Sequence, residues 1–292
     1  MKSTPPSSRR PLLFATVAVL AMTAGACRRS EIRLPGPDTS GPAAPIDPGI
    51  NTTQRLVEAM RDRYDGKWYN TLTFVQASTF YRQDGSVLRS ETWPESAMMP
   101  GRLRIDIGNP SIGNAVIYAN DTVYQFQQRR LISRQPGNNP LQILGFDVYH
   151  LPPSRTLEIL SSLGYDLSTM HRATHEGRDY YVVGARQGDL KRKQFWVDAD
   201  RLLLWRVIEP WLATDTVNVR EIRFQDYKEH GGGWVAEEVD FLRNGRRYFF
   251  EKYEDVRTNV EIDPALFDPR RFTTAKHWYK PPPAPASGTR RP

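Results

Sequence analysis

Between residues 71 and 256 apolar side chains return at every second position in run after run, and turn-forming residues cut each run off. Alternation of this kind marks β-strands with one face turned inward. The first group of runs covers 71–82, 86–93, 102–107, 115–119, 122–126 and 130–134, and the breaks between them include Gln83-Asp84-Gly85, Pro100-Gly101, Asn109-Pro110 and Asn120-Asp121. A second group covers 168–174, 179–185, 193–197, 202–209, 216–227, 234–242 and 246–256. Turns this short join antiparallel neighbours, so the chain is expected to be mainly β (α+β), with about 11–12 strands in a meander.

Two stretches break the period of two. Thr52 or Thr53 can cap a helix whose apolar face is Leu56, Val57, Met60 and Tyr64, ending at Gly66. Between the two groups of strands, Pro152-Pro153-Ser154 opens a second helix over 154–163, with Leu157, Leu160 and Leu163 on one face and Gly164 closing it. Residues 140–146 add a shorter helical turn.

The ends of the chain have a different character. Arg9 and Arg10 precede an apolar run from Leu12 to Met22, then Ala24-Gly25-Ala26 and the chain's single cysteine, Cys27. The run is about half the ~20 residues that a membrane-spanning helix needs, so residues 1–26 form an export signal. The segment resembles the lipobox of bacterial lipoproteins, which makes Cys27 the candidate lipid-attachment site and membrane anchor. Ala24-Gly25-Ala26 also fits an ordinary signal-peptidase site. Arg28 stands where inner-membrane retention signals carry Asp, which points to the outer membrane, facing the periplasm. Residues 27–50 are rich in Pro and Gly and form a tether, and residues 273–292 form a disordered tail containing Pro and Arg. The folded domain is expected over 51–272.

The formal charge of +7 comes from the ends, with +3 in the signal and +4 in the tail. The tether balances to zero and 51–272 is neutral, which removes electrostatic support for a nucleic-acid partner.

Most strands have a wet face. In Arg102-Leu103-Arg104-Ile105-Asp106-Ile107 one face is apolar and the other charged. Others are apolar on both faces, as in Leu202-Leu203-Leu204-Trp205 and Tyr248-Phe249-Phe250. Their second face needs a cover, and the two helices are available as lids.

Enzymatic signatures are missing. The sequence contains no G-x-S-x-G, H-E-x-x-H or P-loop pattern. His171 and His175 share a strand face but stand roughly 13 Å apart, too far for one ion. Asp198 and Asp200 sit at a turn, and Gly231-Gly232-Gly233 is a hairpin loop. No metal or cofactor is expected.

The order of parts resembles the LolA/LolB-like lipoprotein-carrier superfamily. The residues that carry the resemblance are the first helix, the long 74–81 strand, Pro100 to Ile105 followed by Asn109-Pro110, and the Asn120-Asp121 hairpin leading to Val123-Tyr124. They also include the Phe195-to-Arg206 hairpin and Tyr253 to Val256 with Asn259, Ile262-Asp263-Pro264 and Phe267. The resemblance implies an open, strongly curved half-barrel whose concave apolar face is lidded by helices and accepts acyl chains. Alternation then nominates Phe74, Leu103, Ile105, Ile107, Val116, Tyr118, Val182, Phe195, Trp205 and Phe250 as lipid-binding positions.

Three functions follow in order. The first is a carrier or acceptor of a lipid or acylated protein. The second is a packed interaction module for an envelope protein. The third is a hydrolase or metal enzyme, which requires polar residues clustered in the concavity.

Overall fold

A computed structural model describes residues 47–280 apart from positions 213 and 216. The signal, Cys27, most of the tether and residues 281–292 lie outside the described residues. The elements in chain order are α1 (Thr53–Arg63), β1 (Thr71–Tyr81), β2 (Val87–Met98), β3 (Arg102–Asp106), β4 (Ala115–Ala119), β5 (Thr122–Gln127) and β6 (Arg130–Pro136). Then come α2 (Pro140–Gly145), a 3₁₀ turn (Asp147–Tyr149), α3 (Pro153–Ser162), β7 (Met170–His175), β8 (Arg178–Val183), β9 (Gln194–Asp198) and β10 (Leu204–Pro210). The last strands are β11 (Val219–His230), β12 (Gly233–Arg243) and β13 (Arg246–Thr258), followed by 3₁₀ turns at Pro264–Phe267 and Pro269–Arg271.

All thirteen strands form one antiparallel sheet in the order β6-β5-β4-β3-β2-β1-β13-β12-β11-β10-β9-β8-β7. Its two edges, β6 and β7, do not pair. The sheet is the open half-barrel that the alternation and the resemblance imply, and the chain crosses from one edge to the other through α2, the 3₁₀ turn and α3.

Local chemistry sets the element ends. The Thr52 hydroxyl accepts from the Arg55 N–H at 3.2 Å and starts α1, whose Leu56, Val57 and Met60 are buried. Asn120 and Asp121 both take left-handed backbone angles, φ 52° and 54°, as a two-residue hairpin with the right twist demands. In α3 the buried face is Thr156, Ile159 and Leu160, a face rotated from the expected one. Leu157 and Leu163 are half-buried, and Leu163 caps the helix, where its carbonyl accepts from Lys193 Nζ at 2.7 Å.

The structure corrects the reading of β3. Its charged face is wet only at Arg102; Arg104 and Asp106 are both buried and joined by two hydrogen bonds of 2.8 and 2.9 Å. Burial pushes the Asp106 carboxyl up, but hydrogen bonds from His277 and Arg104 outweigh it and hold the group below the usual range. The cover is the end of the chain. Phe272 packs on Ala115, Ile117, Ala119 and Phe126, Arg104 Nη1 donates to the Leu266 carbonyl, and His277 Nε2 lies 3.0 Å from Asp106. Trp278 joins Ile262, Leu266 and Phe267, so packing continues past residue 272. At the other end, Ile50 is buried, and the Asp47 carbonyl accepts from Arg172 and Tyr181.

Candidate functional site

Residues directly opposite each other in an antiparallel sheet share a face. On the concave face of β8–β10, Tyr181, Val183, Phe195, Val197, Leu204 and Val207 are buried almost completely. Helix-borne rings close this half. Tyr165, just after α3, meets Phe195 edge-on at 5.3 Å. Tyr64 and Tyr149 donate hydroxyl hydrogens to the Arg201 and Leu202 carbonyls at 2.6 and 3.0 Å. Trp68 stacks on Tyr149 at 3.7 Å and closes the end of the sheet where β9 turns into β10.

The concave face of β13 and β1–β5 is built differently. Register places Phe74, Gln76, Ser78 and Phe80 of β1 on the same side as Trp93 and Glu95 of β2, Leu103 and Ile105 of β3, and Val116 and Tyr118 of β4. Phe249, Glu251 and Tyr253 of β13 join them, with Tyr253 stacked on Phe74 at 4.0 Å. Ile105, Val116, Tyr118, Glu251 and Tyr253 keep part of their surface accessible. The lid reaches this half through hairpin turns: the Gly101 N–H donates to Asp147 at 3.1 Å, and Arg155 pairs with Asp121 at 2.7 Å. Two open depressions flank the lid. One of about 380 Å³ lies between α3 and the Asp121 and Pro136–Asn138 turns, and one of about 310 Å³ lies beside Pro48–Asn51 and β7.

A polar cluster lies within this apolar half. Gln76 Nε2 donates to Ser78 Oγ at 2.8 Å, Tyr253 donates to Glu251 at 3.1 Å, and Gln76 Oε1 is buried without a partner. Desolvation, reinforced by Glu251 and Asp106, pushes the Glu95 carboxyl well above its ordinary range. Desolvation likewise raises Glu251 to about 8, against the hydrogen bonds from Tyr253 and Gln76. Among the described residues, no Lys, Arg or His forms an ion pair with either carboxyl. Burial thus shifts both toward the neutral form, in which a carboxyl can donate as well as accept. In the lid itself, burial lifts Asp147 to about 7, although Gly101 and Gln142 donate to it.

The ten positions nominated by alternation divide. Phe74, Leu103, Ile105, Val116, Tyr118 and Phe195 point to the concave face, and Ile107 continues the alternation just beyond β3. Within this group Phe195 belongs to the closed half. Val182, Trp205 and Phe250 lie on the opposite face. Val182 and Trp205 form an outer cluster with Tyr180 and Trp196, because the register slips between Leu204 and Arg206 and turns Trp205 outward. Phe250 pairs with Asp240 and Thr79, leaving Phe249 as the inward ring of that run. Glu95 escaped the sequence reading because Pro94 looked like the end of a strand. It lies inside β2, where pairing with β3 begins only at Glu95, so the missing N–H is tolerated. His171 and His175 have separate local surroundings, the first at 3.0 Å from the Ala185 carbonyl and the second beside Trp205.

No protein-family model and no curated protein matches the sequence. Solved structures do. A DUF1329 family protein from Desulfovibrio piger aligns with a TM-score of 0.50 at 16% identity, covering 74% of this chain and 95% of that one. A putative outer membrane lipoprotein-sorting protein domain from Vibrio parahaemolyticus aligns with a TM-score of 0.50 at 11% identity, covering 75% and 97%. The chain shares the fold of these proteins.

Proposed function

We propose that the domain is a non-enzymatic carrier or acceptor for the acyl chains of a lipid or lipoprotein in the bacterial envelope, anchored to the outer membrane through Cys27. The observation that carries this reading is the half-open concave face of β13 and β1–β5. There Ile105, Val116 and Tyr118 stay partly accessible although they face inward. Acyl chains gain about 0.8 kcal/mol per buried methylene without needing directional contacts, so such a surface suits them. The likeness in fold to a lipoprotein-sorting domain agrees with it.

The polar cluster speaks for a second reading, hydrolysis, since that class requires polar groups in the concavity. Its chemistry fits positioning better. Two carboxyls held toward the neutral form, with no nucleophile paired to a base beside them, offer hydrogen bonds to an ester or amide carbonyl of the cargo. The test is to purify residues 28–292 from a bacterial periplasm without detergent, then apply native mass spectrometry and lipid extraction. A stoichiometric, chemically intact acyl lipid is expected, with occupancy reduced in Ile105→Asp. An apo protein that takes up no added lipid sinks the carrier reading. Turnover of added ester lipid that is lost in Glu95→Gln establishes the hydrolase.

A further inference from the structure

Every neighbouring pair of strands is antiparallel, so the turns alternate between the two ends of the sheet. One end carries the β1–β2, β3–β4, β5–β6, β8–β9, β10–β11 and β12–β13 turns. All the strongly exposed large hydrophobic residues among those described stand at this end: Val87, Ile112, Leu131, Leu190, Leu212 and Val217, with Leu88 and Ile132 beside their neighbours. Leu212 and Val217 are 62% and 73% exposed. Among the described residues, none stands at the opposite end.

Charge separates in the same sense. The apolar end carries Arg186, Lys191, Arg192 and Lys193 in the single loop 184–193, and Arg82, Arg129, Arg130, Arg243 and Arg246 at its other turns. Its aspartates, Asp84, Asp166, Asp189 and Asp215, each accept a backbone N–H of their own loop. With the residues that end helices and strands likewise included, the opposite end has Asp65, Asp121, Glu176, Asp198 and Asp200 against Arg63, Lys67, Arg102, Arg178 and Arg201, and so balances. A neutral domain is thus polarised along its strands, and the cationic end is also the greasy one. Apolar side chains set among cations match a bilayer with anionic headgroups, where hydrocarbon insertion and headgroup attraction add.

We infer that this rim is a docking surface for an anionic lipid bilayer. The half-accessible Ile105 and Val116 of the concave face pair where β3 turns into β4, at this same end of the sheet, so docking brings the acceptor surface next to the membrane. The inference goes beyond acyl binding and stands or falls on membrane association alone. The test uses residues 28–292, which retain every described element and lack the signal and the anchor cysteine. Sedimentation is measured with vesicles of phosphatidylcholine and with vesicles containing about one third phosphatidylglycerol. Binding at least about tenfold tighter to the anionic vesicles is expected, weakening with salt. Lys191→Glu with Arg192→Glu should cost about tenfold or more, and Leu212→Ser with Val217→Ser several-fold. Arg63→Glu with Lys67→Glu at the opposite end should change nothing. Circular dichroism melts confirm that the exposed substitutions leave the fold intact. Absence of binding to anionic vesicles, or equal losses at both ends, overturns the proposal and leaves the rim to an acidic protein partner.

Discussion

The two halves of the concave face use the same alternation to different ends. On β8–β10 the inward residues are aliphatic and aromatic, and Tyr165, Tyr64 and Tyr149 from the lid fill the remaining space, with the Tyr64 and Tyr149 hydroxyls reaching backbone carbonyls. On β13 and β1–β5 the inward row mixes apolar side chains with Gln76, Ser78, Glu95 and Glu251, and the lid touches mainly the hairpin turns. The first half has the composition of a core. The second carries two acids without an ion-pair partner among the described residues, Glu95 buried and Glu251 half-buried; a core avoids such groups because desolvation penalises them, and such departures concentrate where ligands bind.

The largest effect that can break this comparison is Phe195→Ala in the closed half. The ring is buried completely, and its loss should cost about 3–5 kcal/mol in a denaturant titration. A cost near that expected for a surface site would mean that the lid does not pack there.

Next in size is a gain. A carboxyl held near 8 when folded and near 4.5 when unfolded binds its proton longer in the folded state, so stability falls as pH rises from about 4.5 to about 8. Glu251→Gln removes that penalty. It should leave stability unchanged at pH 4 and raise it by at least about 1 kcal/mol at pH 8. Asp147→Asn should show the same sign over the lower window from about 4 to about 7. Thermal melts across pH check both, and a gain already present at pH 4 would assign the effect to packing.

Ile105→Ala combined with Val116→Ala in the open half should have the smallest effect on stability, about 1 kcal/mol, because both residues are only half-buried. The same pair should reduce acyl-lipid occupancy. A loss of stability as large as that of Phe195→Ala would make the open half a core as well.

Much of the fold was legible locally. The turn chemistry of Asn120-Asp121 and Pro100-Gly101 gave the hairpins, and Thr52 with Leu56, Val57 and Met60 gave the first helix. Single positions in the candidate site were less legible. A one-residue slip at Trp205 reverses a face, and nothing in Leu-Leu-Leu-Trp announces it. Pro94 hid the end of β2, and with it Glu95. The Arg104–Asp106 pair read as a solvated face because its cover, the segment around Leu266, Phe272 and His277, lies more than 150 residues away in sequence.

By itself the sequence determined the period, the turns and therefore an antiparallel sheet with helical interruptions, because these follow from side-chain alternation and backbone preferences within a few residues. Only the tertiary structure decided which face is covered and by what, since register and lid contacts join residues far apart. It also decided where the charges go. A chain segment whose charges sum to zero becomes a domain with a cationic, apolar rim because antiparallel pairing collects alternate turns at one end.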